Sequence, residues 1–238
     1  MILALKASKK QRMVKFENVT KQFGDLTALN RVSFDIEPGE FVFVIGPSGA
    51  GKTTLVKLIL REYSPTEGMI KVKGFNLQEL HKKKIPEYRR QIGVVFQDLK
   101  LLSDQTVFEN VALALRVLNE AEEKIGEKVL NILDLVGLKG KDDFFPSQLS
   151  GGELQRVCLA RAIVGEPEII IADEPTGNLD LGIARQIVNL LKKINEIGKT
   201  VIMATHNFEI VNTLNQRVIE LDKGKLISDQ KKGKYHLK

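Results

Sequence analysis

The chain has 238 residues, 43% of them hydrophobic and 28% charged, and a net charge of +6. That length and balance suit one large α/β domain, or a core carrying a lobe, with enough chain to bury a sizeable core. No apolar run approaches the roughly 20 residues of a membrane span, the opening residues 1–5 are too short for a signal-peptide core, and a single cysteine, Cys158, excludes an intramolecular disulfide.

Residues 14–19 and 32–36 read as short strands on either side of a loop containing Gly24. Residues 41–45 are a continuous apolar run, as expected of a buried parallel strand. That run enters Gly46, Pro47, Ser48, Gly49, Ala50, Gly51, Lys52 and Thr53, followed by Thr54 and an expected helix through residue 60. The octapeptide fits G-x-x-x-x-G-K-[ST] in the strand–loop–helix context that this motif requires. Its glycines let the backbone wrap a polyphosphate with the N–H groups facing inward. Lys52 would serve the β- and γ-phosphates, and the Thr53 hydroxyl could ligate Mg²⁺.

Residues 69–72 suggest another strand, and 81–84 a solvated turn. Gln97 follows the apolar segment 92–96, and its amide oxygen could touch Mg²⁺ or water. From about 99 to 164 the pattern becomes helical. Val107, Val111, Leu115 and Leu118 recur at helical spacing, as do Ile125, Val129, Ile132 and Val136. Such rows ordinarily pack a core. Within this block, 149–156 read Leu-Ser-Gly-Gly-Glu-Leu-Gln-Arg. Ser150, Gly151 and Gly152 leave backbone N–H groups uncovered where a helix begins, which makes an anion site.

Strands return at 168–172 and 200–204, with a helix between them over 181–195. Alternating strands and helices imply a parallel sheet. The first of these strands runs into Asp173 and Glu174, two carboxylates at the carboxyl edge where ligands bind. Asp173 would hold Mg²⁺ through water, and Glu174 can reach an attacking water. His206 follows the second strand and could donate to a phosphate oxygen. Phe23, in the first loop, could stack on adenine or merely pack. Residues 218–221 and 225–228, joined through Asp222-Lys-Gly224, form an expected terminal hairpin.

Taken in order, Phe23, the loop 46–53, Gln97, the octapeptide at 149–156, Asp173-Glu174, Gly177-Asn-Leu-Asp180 and His206 resemble the ABC-type ATPase family across residues 13–230. The resemblance implies an α/β P-loop NTPase (RecA-like) core. An N-terminal antiparallel β subdomain and an inserted α-helical subdomain at about 99–164 would complete it. Residues 1–12 and 231–238 would be basic extensions. It also implies ATP and Mg²⁺ as cofactors, with catalytic roles for Glu174, His206 and Lys52. Two copies would pair head to tail on binding ATP, so that Ser150, Gly151 and Gly152 of one act in trans on nucleotide held by the other. Two departures are small: Glu153 stands where many members carry Gln, and Thr53-Thr54 where Ser-Thr is common.

A finer resemblance rests on Gln97-Asp98, Leu101-Leu102-x-Asp104 and Ala172-Asp-Glu-Pro-Thr-Gly-Asn-Leu-Asp180. These residues are similar to the cell-division branch, whose ATPase works with the membrane protein FtsX at the cytoplasmic face of the membrane. There it is linked indirectly to peptidoglycan hydrolases. The alternatives are a lipoprotein-releasing or MacB-like exporter and, further off, a soluble nucleic-acid-associated ATPase. Residues 1–15 carry five Lys/Arg and no acid, and 223–238 carry six Lys and one Asp, leaving the body mildly acidic. Basic ends alone are a thin argument for nucleic acid, and no nucleic-acid partner is expected.

Overall fold

A computed structural model describes residues 11–233. Strands β1 (Val14–Phe23) and β2 (Leu26–Ile36) form an antiparallel pair, and β3 (Phe41–Ile45) leads into helix α1 (Lys52–Ile59). Strands β4 (Glu67–Val72) and β5 (Phe75–Asn76), a short helix α2 (Ile85–Arg89) and strand β6 (Ile92–Val95) follow. The helical lobe comprises α3 (Val107–Val117), α4 (Glu122–Leu135) and α5 (Gly151–Ile163). Then come β7 (Ile169–Asp173), α6 (Leu181–Glu196), β8 (Thr200–Thr205), α7 (Phe208–Leu214), β9 (Arg217–Asp222) and β10 (Lys225–Gln230).

One sheet is antiparallel, in the order β2-β1-β4-β5. The other runs β10-β9-β3-β8-β7-β6, parallel except for the antiparallel β9–β10 hairpin. This is the expected RecA-like core with its antiparallel β layer and helical insertion.

The central strands separate two cores, because successive side chains point to opposite faces. Phe41, Phe43 and Ile45 pack with helices α3 to α7, while Val42 and Val44 pack with α1 and the β layer. Strands β7 and β8 divide in the same way: Ile170, Ala172, Val201 and Met203 face the helices, and Ile169, Ile171, Ile202 and Ala204 face the β layer. Burial on both faces accounts for the unbroken apolar runs in the sequence.

Helix starts are set by side chains. Thr106 accepts from the Glu109 N–H at 3.2 Å, Asp180 from Ile183 at 3.0 Å and Asn207 from Ile210 at 3.2 Å. Ahead of β1, Gln11 donates to the Lys73 carbonyl at 2.7 Å and Arg12 pairs with Asp35 at 2.6 Å. The last two residues of the expected N-terminal extension therefore lie against the β layer. Residues 1–10 and 234–238, the rest of the expected extensions, lie outside the described residues. Gly233 donates its N–H to Gln216 O at 3.1 Å.

Candidate functional site

Three strand ends meet at one edge of the parallel sheet. Strand β3 delivers the loop 46–53, β7 delivers Asp173 and Glu174, and β8 delivers His206. A cleft of about 890 Å³ opens there. It is lined by Phe23, by Pro47 through Thr54, and by Gln97, Glu174 and His206. Residues far apart in the chain thus share one cavity.

The loop is built for close approach. Gly46 has φ +149°, and a Cβ there would lie 2.2 Å from the Leu221 carbonyl oxygen. Gly51 has φ +105° and leads straight into α1. No side chain caps α1, and no acidic residue sits in its first turn. Its first N–H groups and the positive end of its dipole are therefore open to an anion.

Lys52 is 7% exposed and its ammonium folds back on the loop, donating to the carbonyls of Gly46 at 2.7 Å and Pro47 at 3.1 Å. It also lies 3.6 Å from Oε1 of Glu174, which is 8% exposed. His206 Nδ1 stands 2.9 Å from the same oxygen, and the His206 backbone N–H donates to Oε2 at 3.3 Å. Glu174 itself adopts a left-handed backbone, φ +49°, with its N–H donating to Ala204 O at 2.9 Å. A glutamate held in that conformation stores strain of the kind found at functional positions. The Lys52 ammonium and the His206 imidazole thus both partner the Glu174 carboxylate.

Thr53 Oγ1 lies 3.5 Å from Asp173 Oδ1. Among the described residues no group of three or more His, Cys, Asp or Glu is placed to hold a metal alone. One hydroxyl beside one carboxylate still suits Mg²⁺, which keeps several waters and takes further oxygens from substrate phosphates. Burial pushes the Asp173 carboxyl above its ordinary value, the Thr53 hydrogen bond opposes this, and the Glu174 charge adds to the rise. Its ionised form therefore costs stability, and that cost sets in as pH rises past the ordinary carboxylate range. Asp173→Asn should raise the melting temperature of the nucleotide-free protein at neutral pH, by about 2–4 °C per kcal/mol recovered. The gain should shrink as pH falls toward 4, and Mg²⁺ dependence should weaken. Calorimetry across pH checks the first two outcomes.

Phe23 reaches the cleft from the end of β1 and packs edge-on against Tyr63, with ring centroids 5.0 Å apart. Lys21 lies 4.7 Å over its ring. Gln97 is exposed and lines the same cleft, two residues after the end of β6.

Ser150, Gly151 and Gly152 lie elsewhere, at the start of α5, and do not line the cleft. Glu153 accepts from the Ser150 N–H at 2.9 Å and from its hydroxyl at 2.8 Å, and it pairs with Lys141. Those donors hold its carboxyl down to about 2, with Lys141 the largest influence. Gly152 is buried against α6, where a Cβ would come within 2.7 Å of Ile183 Cγ2. The start of α5, capped by Glu153, thus lies outside the chain's own cleft.

Sequence reasoning did not single out Leu26, Thr27, Ala28 or Lys223, all of which line the cleft. They arrive through β2 and the β9–β10 turn, and no local motif marks them.

Comparisons with known proteins bear on the family and fold. The ABC transporter family matches residues 29–177. The chain is 49% identical to the cell division ATP-binding protein FtsE of Streptococcus pneumoniae, over 94% of the chain and 97% of that protein. It is 52% identical to the protein of the same name from Bacillus subtilis, over 94% and 98%. Among solved structures, the ATP-binding cassette MJ0796, seen as a dimer bound to ADP and Pi, superposes with a TM-score of 0.84 at 37% identity, covering 94% of this chain and all of that one.

Proposed function

The chain belongs to the ABC transporter family, and from that premise we propose that it is the Mg-ATP-hydrolysing subunit of a membrane complex acting in cell division. The single cleft that gathers Lys52, Glu174 and His206 carries the enzymatic part of this reading. Identity near one half along nearly the whole length of proteins named for cell division supports the rest.

In this reading the open start of α1 and the loop 46–53 wrap the phosphates, and Phe23 meets the base. Mg²⁺, held by Thr53 and Asp173 with Gln97 alongside, would neutralise charge on the β- and γ-phosphates. ATP draws the Lys52 ammonium off the loop carbonyls and away from Glu174 onto phosphate oxygens. Glu174, freed of that cation, takes a proton from water as its oxygen attacks the γ-phosphorus. The bond to the bridging oxygen breaks, and ADP leaves with the electron pair. His206 turns from Glu174 to donate to the γ-phosphate, which preorganises charge where it develops.

Ser150, Gly151 and Gly152 of a second copy complete each site in trans. Two ATP molecules then clamp the dimer, and hydrolysis opens it. The partner is an FtsX-like membrane protein, engaged from the cytoplasmic face, which relays the motion toward peptidoglycan hydrolases. No helix among the described residues is long and apolar enough to cross a membrane, so the chain would act there as a peripheral subunit.

Two measurements test this reading. ATP turnover per molecule should rise with protein concentration and level off once dimers dominate. A constant rate down to dilute monomer contradicts the trans arrangement. Affinity purification of the full chain from solubilised membranes should recover a four-span membrane protein, whereas recovery of a solute permease would redirect the assignment.

A further inference from the structure

The β9–β10 turn does more than close a hairpin. Its residues Lys223 and Gly224 both have positive φ, +46° and +75°. Two successive left-handed residues make a tight hairpin turn, for which Asn or Gly is the favoured first residue. Lysine gains nothing there from the turn itself.

The turn is fixed to the site on two sides. The Gly224 N–H donates to Ala50 O, in the phosphate loop, at 3.1 Å, and the Asn30 N–H donates to Gly224 O at 2.8 Å. A Cβ on Gly224 would lie 2.7 Å from the Ala28 carbonyl oxygen. The phosphate loop, strand β2 and the turn are thus wedged together with no room for a side chain between them. Lys223 emerges from that junction and lines the cleft.

Two lysines line this cleft. The Lys52 ammonium is engaged by two carbonyls and Glu174. Lys223 is exposed and has no hydrogen bond, ion pair or ring partner among the described residues. We propose that Lys223 is a second nucleotide-binding cation, serving the ribose and α-phosphate end that ATP and ADP share. The placement follows from its anchors, Ala50 and Ala28, which lie on the β2 side of the cleft and apart from the strand ends that carry Asp173, Glu174 and His206. A flexible ammonium there adds affinity without touching the reacting atoms, so Lys223 acts in binding and not in the chemical step. The inference rests on the cleft being the nucleotide site.

The experiment compares Lys223→Ala, Lys223→Gly and Lys223→Arg in the full chain, with Lys52→Ala as reference. Calorimetric titration with ATP and with ADP reads affinity, and steady-state kinetics separates KM from kcat. Lys223→Ala should weaken both nucleotides by about two- to fivefold, the worth of one exposed charge contact. It should raise KM by the same factor and leave kcat unchanged. Lys223→Arg should keep near-native affinity. Lys223→Gly removes the ammonium but suits the left-handed turn, so it should lose affinity equally while matching or exceeding the native melting temperature. Native affinity in Lys223→Gly would assign Lys223 to the turn alone and overturn the proposal. A loss confined to ATP would overturn its placement. If Lys52→Ala also leaves affinity unchanged, the cleft reading itself fails, and that outcome is distinct from a failure of Lys223 alone.

Discussion

Glu174→Gln should bind ATP and lose about 10²- to 10⁴-fold in turnover, the range for removing a general base. Glutamine keeps the shape and can still accept the His206 N–H that Glu174 accepts at 3.3 Å. It cannot take a proton from water at neutral pH. It also carries no charge to hold Lys52, which stands 3.6 Å away. The ammonium is then released to the phosphates, so ATP affinity should stay level or rise slightly. Binding without turnover should trap the ATP-bound dimer, which light scattering would register as a doubled mass that persists for the length of the measurement. Native turnover in this variant would remove Glu174 from the proton transfer. A variant that fails to dimerise while holding ATP would instead count against the clamp.

Lys52→Ala should weaken ATP binding by about 10- to 100-fold, the value of a charge-assisted hydrogen bond to phosphate. A second effect follows from the resting geometry. Glu174 is 8% exposed, and Lys52 is the cation beside it. Removing one member of a buried pair leaves the other charge desolvated, at a cost of about 3–5 kcal/mol in general. His206 Nδ1, at 2.9 Å, softens that cost. The variant should therefore melt below the native protein before any nucleotide is added. The double variant Lys52→Ala with Glu174→Gln should recover most of that stability and none of the affinity. Separate recovery of the two properties distinguishes the ion pair from the phosphate contact.

How far the sequence predicts this molecule depends on how local each signal is. The phosphate loop, the Asp173-Glu174 pair and His206 were legible because each sits at a strand end, and strand ends in a parallel sheet converge. The helix expected over 181–195 is found at Leu181–Glu196, capped by Asp180. Other elements carried weaker marks. Strand β6 was visible only as an apolar segment, being four residues long at the sheet edge. Helix α7 has seven residues and buries only Ile210 and Val211, too few for a periodicity to stand out. Strand β2 extends from Leu26, well before the apolar stretch at 32–36, because pairing with β1 holds its first half, where only Leu29 is buried. Lys223 was invisible for a different reason. Its place beside the phosphate loop depends on β9 lying next to β3, a pairing across about 175 residues of chain that no local pattern encodes.

The same pairing bears on how the protein is made. Strand β3 has two neighbours in the sheet, β8 and β9, synthesised about 160 and 175 residues after it. Until they emerge from the ribosome, five consecutive apolar residues, Phe41–Ile45, have no strand beside them. The helical lobe draws mostly on its own stretch of chain and can assemble earlier. The phosphate loop packs against Leu221 and is bonded to Gly224, so it takes its final form only when β9 and its turn have arrived. A ribosome stalled before β8 would therefore display a sticky, nucleotide-blind fragment, prone to aggregation and dependent on chaperones. Affinity for ATP in a nascent chain is in this sense a report that β9 and its turn have been made.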